Sequence, residues 1–157
     1  MTAKKQKVVV YARVSTNDQN LETQLLAVQN YCDAQGWEIQ EIYSDAGISG
    51  GQDSRPALDR LKADCSKGKV QVVVVYRLDR LARSVQHLLS CLELFRKSEV
   101  GFVSVSESVD TTTPVGRMVT TFLAAIAEFE KSLIQERVIA GRSDSSRRRS
   151  PATGRRR

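Results

Sequence analysis

The chain has 157 residues, enough for one well-formed core and too few for two ordinary domains, and 41% of them are hydrophobic and 27% charged. No apolar run approaches the roughly 20 residues that cross a bilayer, and the basic N-terminal residues precede too short an apolar stretch for a signal peptide, so a cytoplasmic protein with no membrane partner is expected. Three scattered cysteines and a single histidine argue against a disulfide framework and against a zinc site, and no metal is expected. The net charge of +6 is unevenly placed: residues 142–157 hold seven arginines against Asp144, so the tail carries the whole excess and residues 1–141 are formally neutral. A polyanion is its natural partner, nucleic acid first.

Val8 to Val14 is a β-branched strand-like run interrupted by Arg13, and it stops at Ser15, Thr16, Asn17 and Asp18, residues that cap helices. Arg13 and Ser15 share one face of that strand by its two-residue period. If it lies in an open α/β sheet, Ser15 projects toward the crevice where ligands bind; as a plain helix cap it would do no chemistry, and both readings stand at this point. Leu21, Leu25, Val28 and Cys32 then predict a helix over Asn20–Ala34, stopped by Gly36, followed by a strand over Trp37–Tyr43. Residues 44–54 have no period and three glycines, which predicts a mobile loop.

Pro56 opens the next helix, with Ser54 as its expected cap, Leu58, Leu61 and Cys65 on its inner face and Gly68 at its end. Val70–Tyr76 is apolar on both faces and predicts a central strand of a mostly parallel sheet. A helix over about Val85–Lys97 and a strand over Val100–Val105 follow. The alternation predicts an α/β fold, a three-layer mostly parallel sheet with flanking helices. Thr111–Pro114 starts a long helix over about 114–140, roughly 40 Å in length, whose stripe of Met118, Phe122, Ile126 and Phe129 exceeds what so small a core can cover. A second subunit on that stripe is the favoured reading, and a helix laid across its own sheet is the other.

Arg77, Arg80 and Arg83 follow a strand at a spacing of three. Were the segment helical they would share a face near a helix N-terminus, where cations oppose the dipole unless an anion is bound, so the triplet points to a phosphate pocket or to a solvated face. Guanidinium groups stay protonated and donate in a planar fork, which suits a developing phosphoryl charge. No histidine is placed to serve Ser15, because His87 lies in a Leu-rich segment, which disfavours a Ser-His-Asp hydrolase.

Tyr11-Ala12-Arg13-Val14-Ser15, Gln19, Gln24, Arg55 after the glycine-rich stretch, and Leu78-Asp79-Arg80-Leu81-Ala82-Arg83, in that order, resemble the signature of serine site-specific DNA recombinases, the resolvase and invertase family. Gly116-Arg117-Met118 and Glu136-Arg137 are similar to the same family's long helix. The resemblance covers residues 7–142 and implies a catalytic domain over 1–141 that binds double-stranded DNA as a dimer, and as a tetramer when two sites pair. It implies that Ser15 forms a 5′-phosphoserine link to DNA, needing no cofactor, with Arg13, Arg55, Arg80 and Arg83 around the phosphate, Asp79 orienting guanidiniums or moving a proton, and Gln19 and Gln24 positioning the site. DNA contacts would come from Arg137, Arg142, Arg147, Arg148, Arg149, Arg155, Arg156 and Arg157, with residues 142–157 a disordered arm along the minor groove. Two departures stand out. Glu130-Lys131 replaces the family's usual Glu-Arg, and only 16 residues follow Gly141, too few for the family's C-terminal helix-turn-helix domain, which is not expected here. A truncated or regulatory protein that binds DNA or full-length partners without strand exchange is the alternative.

Overall fold

The computed structural model describes residues 5–15, 21–47 and 55–147. Its elements in chain order are strand β1 (Gln6–Ser15), helix α1 (Leu21–Gln35), strand β2 (Trp37–Gly47), helix α2 (Pro56–Ser66), strand β3 (Val72–Val75), the single turn α3 (Leu78–Leu81), helix α4 (Val85–Lys97), strand β4 (Gly101–Ser104), the short strand β5 (Val109–Asp110) and helix α5 (Pro114–Arg147). The sheet has the order β2-β1-β3-β4-β5; its first four strands are parallel, and β5 runs antiparallel to β4. Winding outward from β1 to β2 and then back past β1 to β3 makes a topological switch between β1 and β3. Ligands of open α/β sheets bind at the carboxyl ends of strands at such a switch.

The two-residue period of the strands sorts their side chains into two cores. Val8, Val10, Val72, Val74 and Val103 meet Val28 and Cys32 of α1 on one face, while Val9, Tyr11, Val73, Val75 and Phe102 meet Leu58, Leu61 and Cys65 of α2 and Cys91 and Phe95 of α4 on the other. All four residues of β3 are buried, as expected of a central parallel strand. Helices cover both faces, which is the three-layer arrangement anticipated from the alternation.

Several boundaries differ from expectation, each for a local reason. Strand β2 runs on through Ser44 to Gly47, paired with Ala12 to Ser15, so the first four residues of the expected loop are strand; residues 48–54 lie outside the described residues. The continuation is anchored by Asp45, which is buried and hydrogen-bonded from three sides. Helix α2 has Pro56 in its first turn as expected, but its N-cap residue is Arg55 rather than Ser54; the Arg55 side chain makes no cap bond, and the capping role passes to Asp45. Gly68, with φ of +73°, makes the left-handed exit after α2.

The segment after β3 is helical for one turn only. Arg77 precedes it in extended conformation and Ala82 is extended again, so Arg77, Arg80 and Arg83 do not share a helix face. Ser84 then caps α4 by accepting from the His87 N–H at 3.1 Å. Strand β5 escaped the sequence reading because two residues carry no period. Its Asp110 carbonyl lies where a Cβ on Gly116 would fall, 1.6 Å away, so the start of α5 packs against β5 only with glycine there. Helix α5 passes through Gly141 to Arg147, and residues 142–147, expected in a disordered arm, are helical; residues 148–157 lie outside the described residues. The chain divides into two compact units, Met1–Thr121 and Phe122–Arg157. Among the described residues no helix is long and apolar enough to cross a membrane.

Candidate active site

The site is assembled at the carboxyl ends of β1 and β3. Ser15 is the last residue of β1, in register with Gly47, and Arg13 lies two residues earlier, half-buried and in register with Asp45. The described side chains do not include that of Ser15, and Gln19 lies outside the described residues.

Asp45 was not singled out in the sequence, and it organises this end of the sheet. Its Oδ2 accepts from the Tyr11 hydroxyl at 2.9 Å and from the Leu58 N–H at 3.0 Å, and its Oδ1 accepts from the Ala57 N–H at 2.8 Å. A carboxylate on the first free amides of a helix satisfies otherwise unpaired donors and favours the positive end of the dipole. The carboxylate thereby ties the first turn of α2 to β1. The available sequence signal was an acidic residue beside aromatic Tyr43 in a strand; its partners in β1 and α2 are remote in sequence.

Arg55 is 6% exposed, and its Nη1 donates to the Leu81 carbonyl at 2.7 Å. That bond joins the start of α2 to the end of α3, two elements 26 residues apart in sequence. Asp79 sits between Arg77 and Arg80, with N–O distances of 3.3 and 3.9 Å, and its side chain is more than half exposed while that of Arg80 is mostly covered. Arg80 and Gln24 line one small cavity together with Val10, Tyr11 and Ala12 of β1 and with Tyr76. Arg83 is exposed and follows the buried, extended Ala82 at the end of α3. Of the expected residues, the structure brings Arg55 to the end of α3, Asp79 to Arg80, and Arg80 with Gln24 to one cavity beside β1, while Arg13 lies on β1 and Arg83 beyond α3. Guanidinium groups can hold a phosphate group in planar, bidentate fashion.

The three cysteines are buried, and burial pushes the Cys32 and Cys65 thiols up to about 11. Burial also raises Cys91, against the opposing charges of Lys62 and Arg55. Protonated, enclosed thiols are poor nucleophiles. Arg117 donates to the carbonyls of Thr111 and Thr112 at 3.4 Å, which fastens the start of α5. On α5 the side chains of Met118, Phe122 and Phe129 are 64–66% exposed and Ile126 is 40% exposed. Arg137 and Arg142 are exposed, Arg147 ends the helix, and Arg148, Arg149, Arg155, Arg156 and Arg157 lie outside the described residues.

Residues 8–149 match the family model described as resolvase, N-terminal domain. The Tn917 transposon resolvase of Enterococcus faecalis is 37% identical over 131 residues, covering 83% of this chain and 66% of that protein. The serine recombinase Gin of Escherichia phage Mu is 40% identical over 134 residues, covering 85% of this chain and 65% of that protein. The chain thus spans about two thirds of the length of these relatives. Among solved structures, the N-terminal catalytic domain of TP901-1 integrase superposes with a TM-score of 0.73 at 40% identity, covering 82% of this chain and 98% of that one. A resolvase-family site-specific recombinase from Streptococcus pneumoniae superposes with a TM-score of 0.76 at 31% identity, covering 91% and 99% of the two chains.

Proposed function

Because this chain belongs to the resolvase family of serine recombinases, we propose that it breaks and rejoins DNA strands at a specific site, with Ser15 as the nucleophile. The observation that carries this reading is the bond from the buried Arg55 to Leu81, which brings the arginine that precedes α2 to the Asp79–Arg83 segment beside the end of β1. In the proposed reaction the Ser15 Oγ forms a bond to phosphorus as the bond from phosphorus to the 3′ oxygen breaks. The serine proton is lost and the leaving oxygen takes one up. Arg13, Arg55, Arg80 and Arg83 offset the charge on the phosphoryl oxygens, Asp79 orients Arg80 or carries a proton, and Gln19 and Gln24 align the strand. Reversal by the 3′-hydroxyl of another strand reseals DNA without an external energy source, because the ester energy stays in the link to Ser15.

The partners in this reading are double-stranded DNA, a second copy across α5, and a tetramer when two sites are paired, all in the cytoplasm. Residues 1–141 act as the catalytic domain and the arginine-rich segment beyond as a DNA-contacting arm. Ser15→Ala tests the assignment. Incubated with a pool of nicked duplexes with randomised centres and run on a denaturing gel, the unsubstituted chain gives a covalent protein–DNA band and the variant gives none, with its noncovalent DNA binding nearly unchanged. A band that persists in Ser15→Ala, or a phosphopeptide mapped to another serine, overturns it.

A further inference from the structure

The turn α3, which carries Asp79 and Arg80, is too short to hold itself. One helical turn fixes several dihedrals for one or two hydrogen bonds, so it persists only when other elements secure it. At its end the Leu81 carbonyl accepts from Arg55. At its start Arg77 supplies no side-chain cap, and the Leu78 N–H points instead to both carboxylate oxygens of Glu107, at 3.3 and 3.4 Å. Glu107 reaches that amide from a different element, the turn between β4 and β5.

The turn is itself fastened to the exit of β3. The Val105 N–H donates to the Val75 carbonyl at 3.0 Å and the Ser106 N–H to the Tyr76 carbonyl at 2.8 Å, while Ser108 reverses the chain with a φ of +56°. The fully buried Ser104 hydroxyl donates to the same Glu107 carboxylate that faces Leu78. A buried hydroxyl aimed at an exposed carboxylate restricts the rotamers of the longer side chain, and so aims it.

We propose that Glu107, aimed by Ser104, is a positioning residue of the recombination site: it fixes the start of α3 and thereby the placement of Asp79 and Arg80 against the scissile phosphate. The consequence for catalysis rests on the recombinase reading above; the consequence for α3 does not. Glu107 touches neither DNA nor Ser15 in this role, and its effect passes through the Leu78 amide. Substitution therefore slows the chemical step while leaving DNA affinity alone.

Amide exchange on the full chain, together with single-turnover formation of the covalent band on the nicked-duplex pool, tests it. In Glu107→Ala the Leu78 amide exchanges about tenfold faster, as expected for loss of a cap, while the Val73 and Val74 amides of β3 keep their protection. Adduct formation slows about tenfold with DNA affinity within about twofold, and Glu107→Gln, which keeps one carbonyl acceptor, recovers to within about threefold of the unsubstituted rate. Ser104→Ala gives the same pattern at smaller amplitude and carries the test if Glu107→Ala does not fold. Unchanged Leu78 exchange in a folded variant overturns the proposal, as does a normal cleavage rate alongside accelerated exchange, or a rate that falls only in step with affinity. If the unsubstituted chain forms no covalent band, the recombinase reading fails, and the exchange experiment still decides whether Glu107 holds α3.

Discussion

Helices α4 and α5 both carry an apolar stripe, and they differ in what the stripe meets. In α4, Cys91 and Phe95 are buried, and Leu88 and Leu92 pack partly buried against the same core. In α5, Met118, Phe122 and Phe129 stay about two-thirds exposed over a helix of 34 residues. The residue types are alike, and the difference is length: a 13-residue helix fits over a five-stranded sheet, whereas a helix about 50 Å long exceeds what any core of this size can cover. An exposed stripe of that width is unusual for a surface left to solvent, and it is the face on which the second copy proposed above would pack.

The sharpest way to break this comparison is a matched pair of truncations. Phe102 is fully buried and stacks on Phe95 with ring centroids 5.9 Å apart, so Phe102→Ala should cost about 3–5 kcal/mol of unfolding free energy. Phe122→Ala, at dilutions where the chain is monomeric, should cost less than about 0.5 kcal/mol. Urea titrations that give equal losses for the two would mean that α5 is as much core as the sheet.

The thiols sharpen the contrast from another side, since Cys32, Cys65 and Cys91 all lie in the sheet unit and α5 has none. Cys32 and Cys65 are raised from 9.0 to about 11 by burial, so the folded state holds their protons longer than the unfolded state does. Their contribution is fully present below pH 9 and is lost as pH rises toward about 11. Melting temperatures measured from pH 8 to 11 should fall in that window, and Cys32→Ala with Cys65→Ala should flatten the fall even though the variants start from lower stability. An unchanged slope would contradict the burial of these groups.

Charge on the α5 stripe should leave unfolding free energy almost untouched and remove association. Phe122→Asp or Phe129→Asp should shift sedimentation to a strict monomer and abolish the covalent DNA band, while the monomer's unfolding free energy stays within about 0.5 kcal/mol of the parent. Retained self-association would move the interface elsewhere. The smallest effect belongs to the arginine-rich end. Deleting residues 148–157 should lower the slope of log affinity against log salt by about 0.9 for each phosphate that the segment neutralises on duplex DNA. Affinity should fall similarly on specific and random sequence, because phosphate contacts carry no direct sequence information. Equal slopes for the two chains would show an idle tail.

What was legible in the sequence is what local pattern controls. The Val-rich run of β3 announced a doubly covered strand, Gly36 and Gly68 marked helix exits, and Leu88, Leu89, Leu92 and Phe95 set α4 at Val85–Lys97. The order of Arg13, Ser15, Arg55, Asp79, Arg80 and Arg83 was readable as a resemblance to the serine recombinase signature, because the residues of such a signature keep their order along the chain whatever the fold does with them. Tertiary structure alone decided the rest. Asp45 extends β2 and caps α2 because Tyr11 and two amides from another element converge on it. The single turn α3 survives between Arg55 and Glu107, which lie 26 residues before and 29 residues after the atoms they bind. Strand β5 exists because β4 offers it an edge, and Gly116 is required by a carbonyl six residues earlier in the chain, brought close by that pairing. Hydrogen bonds between residues remote in sequence leave no period in either segment, so patterns of hydropathy and spacing determine which elements form, and contacts across the sheet determine where they end and which side chains they hold in place.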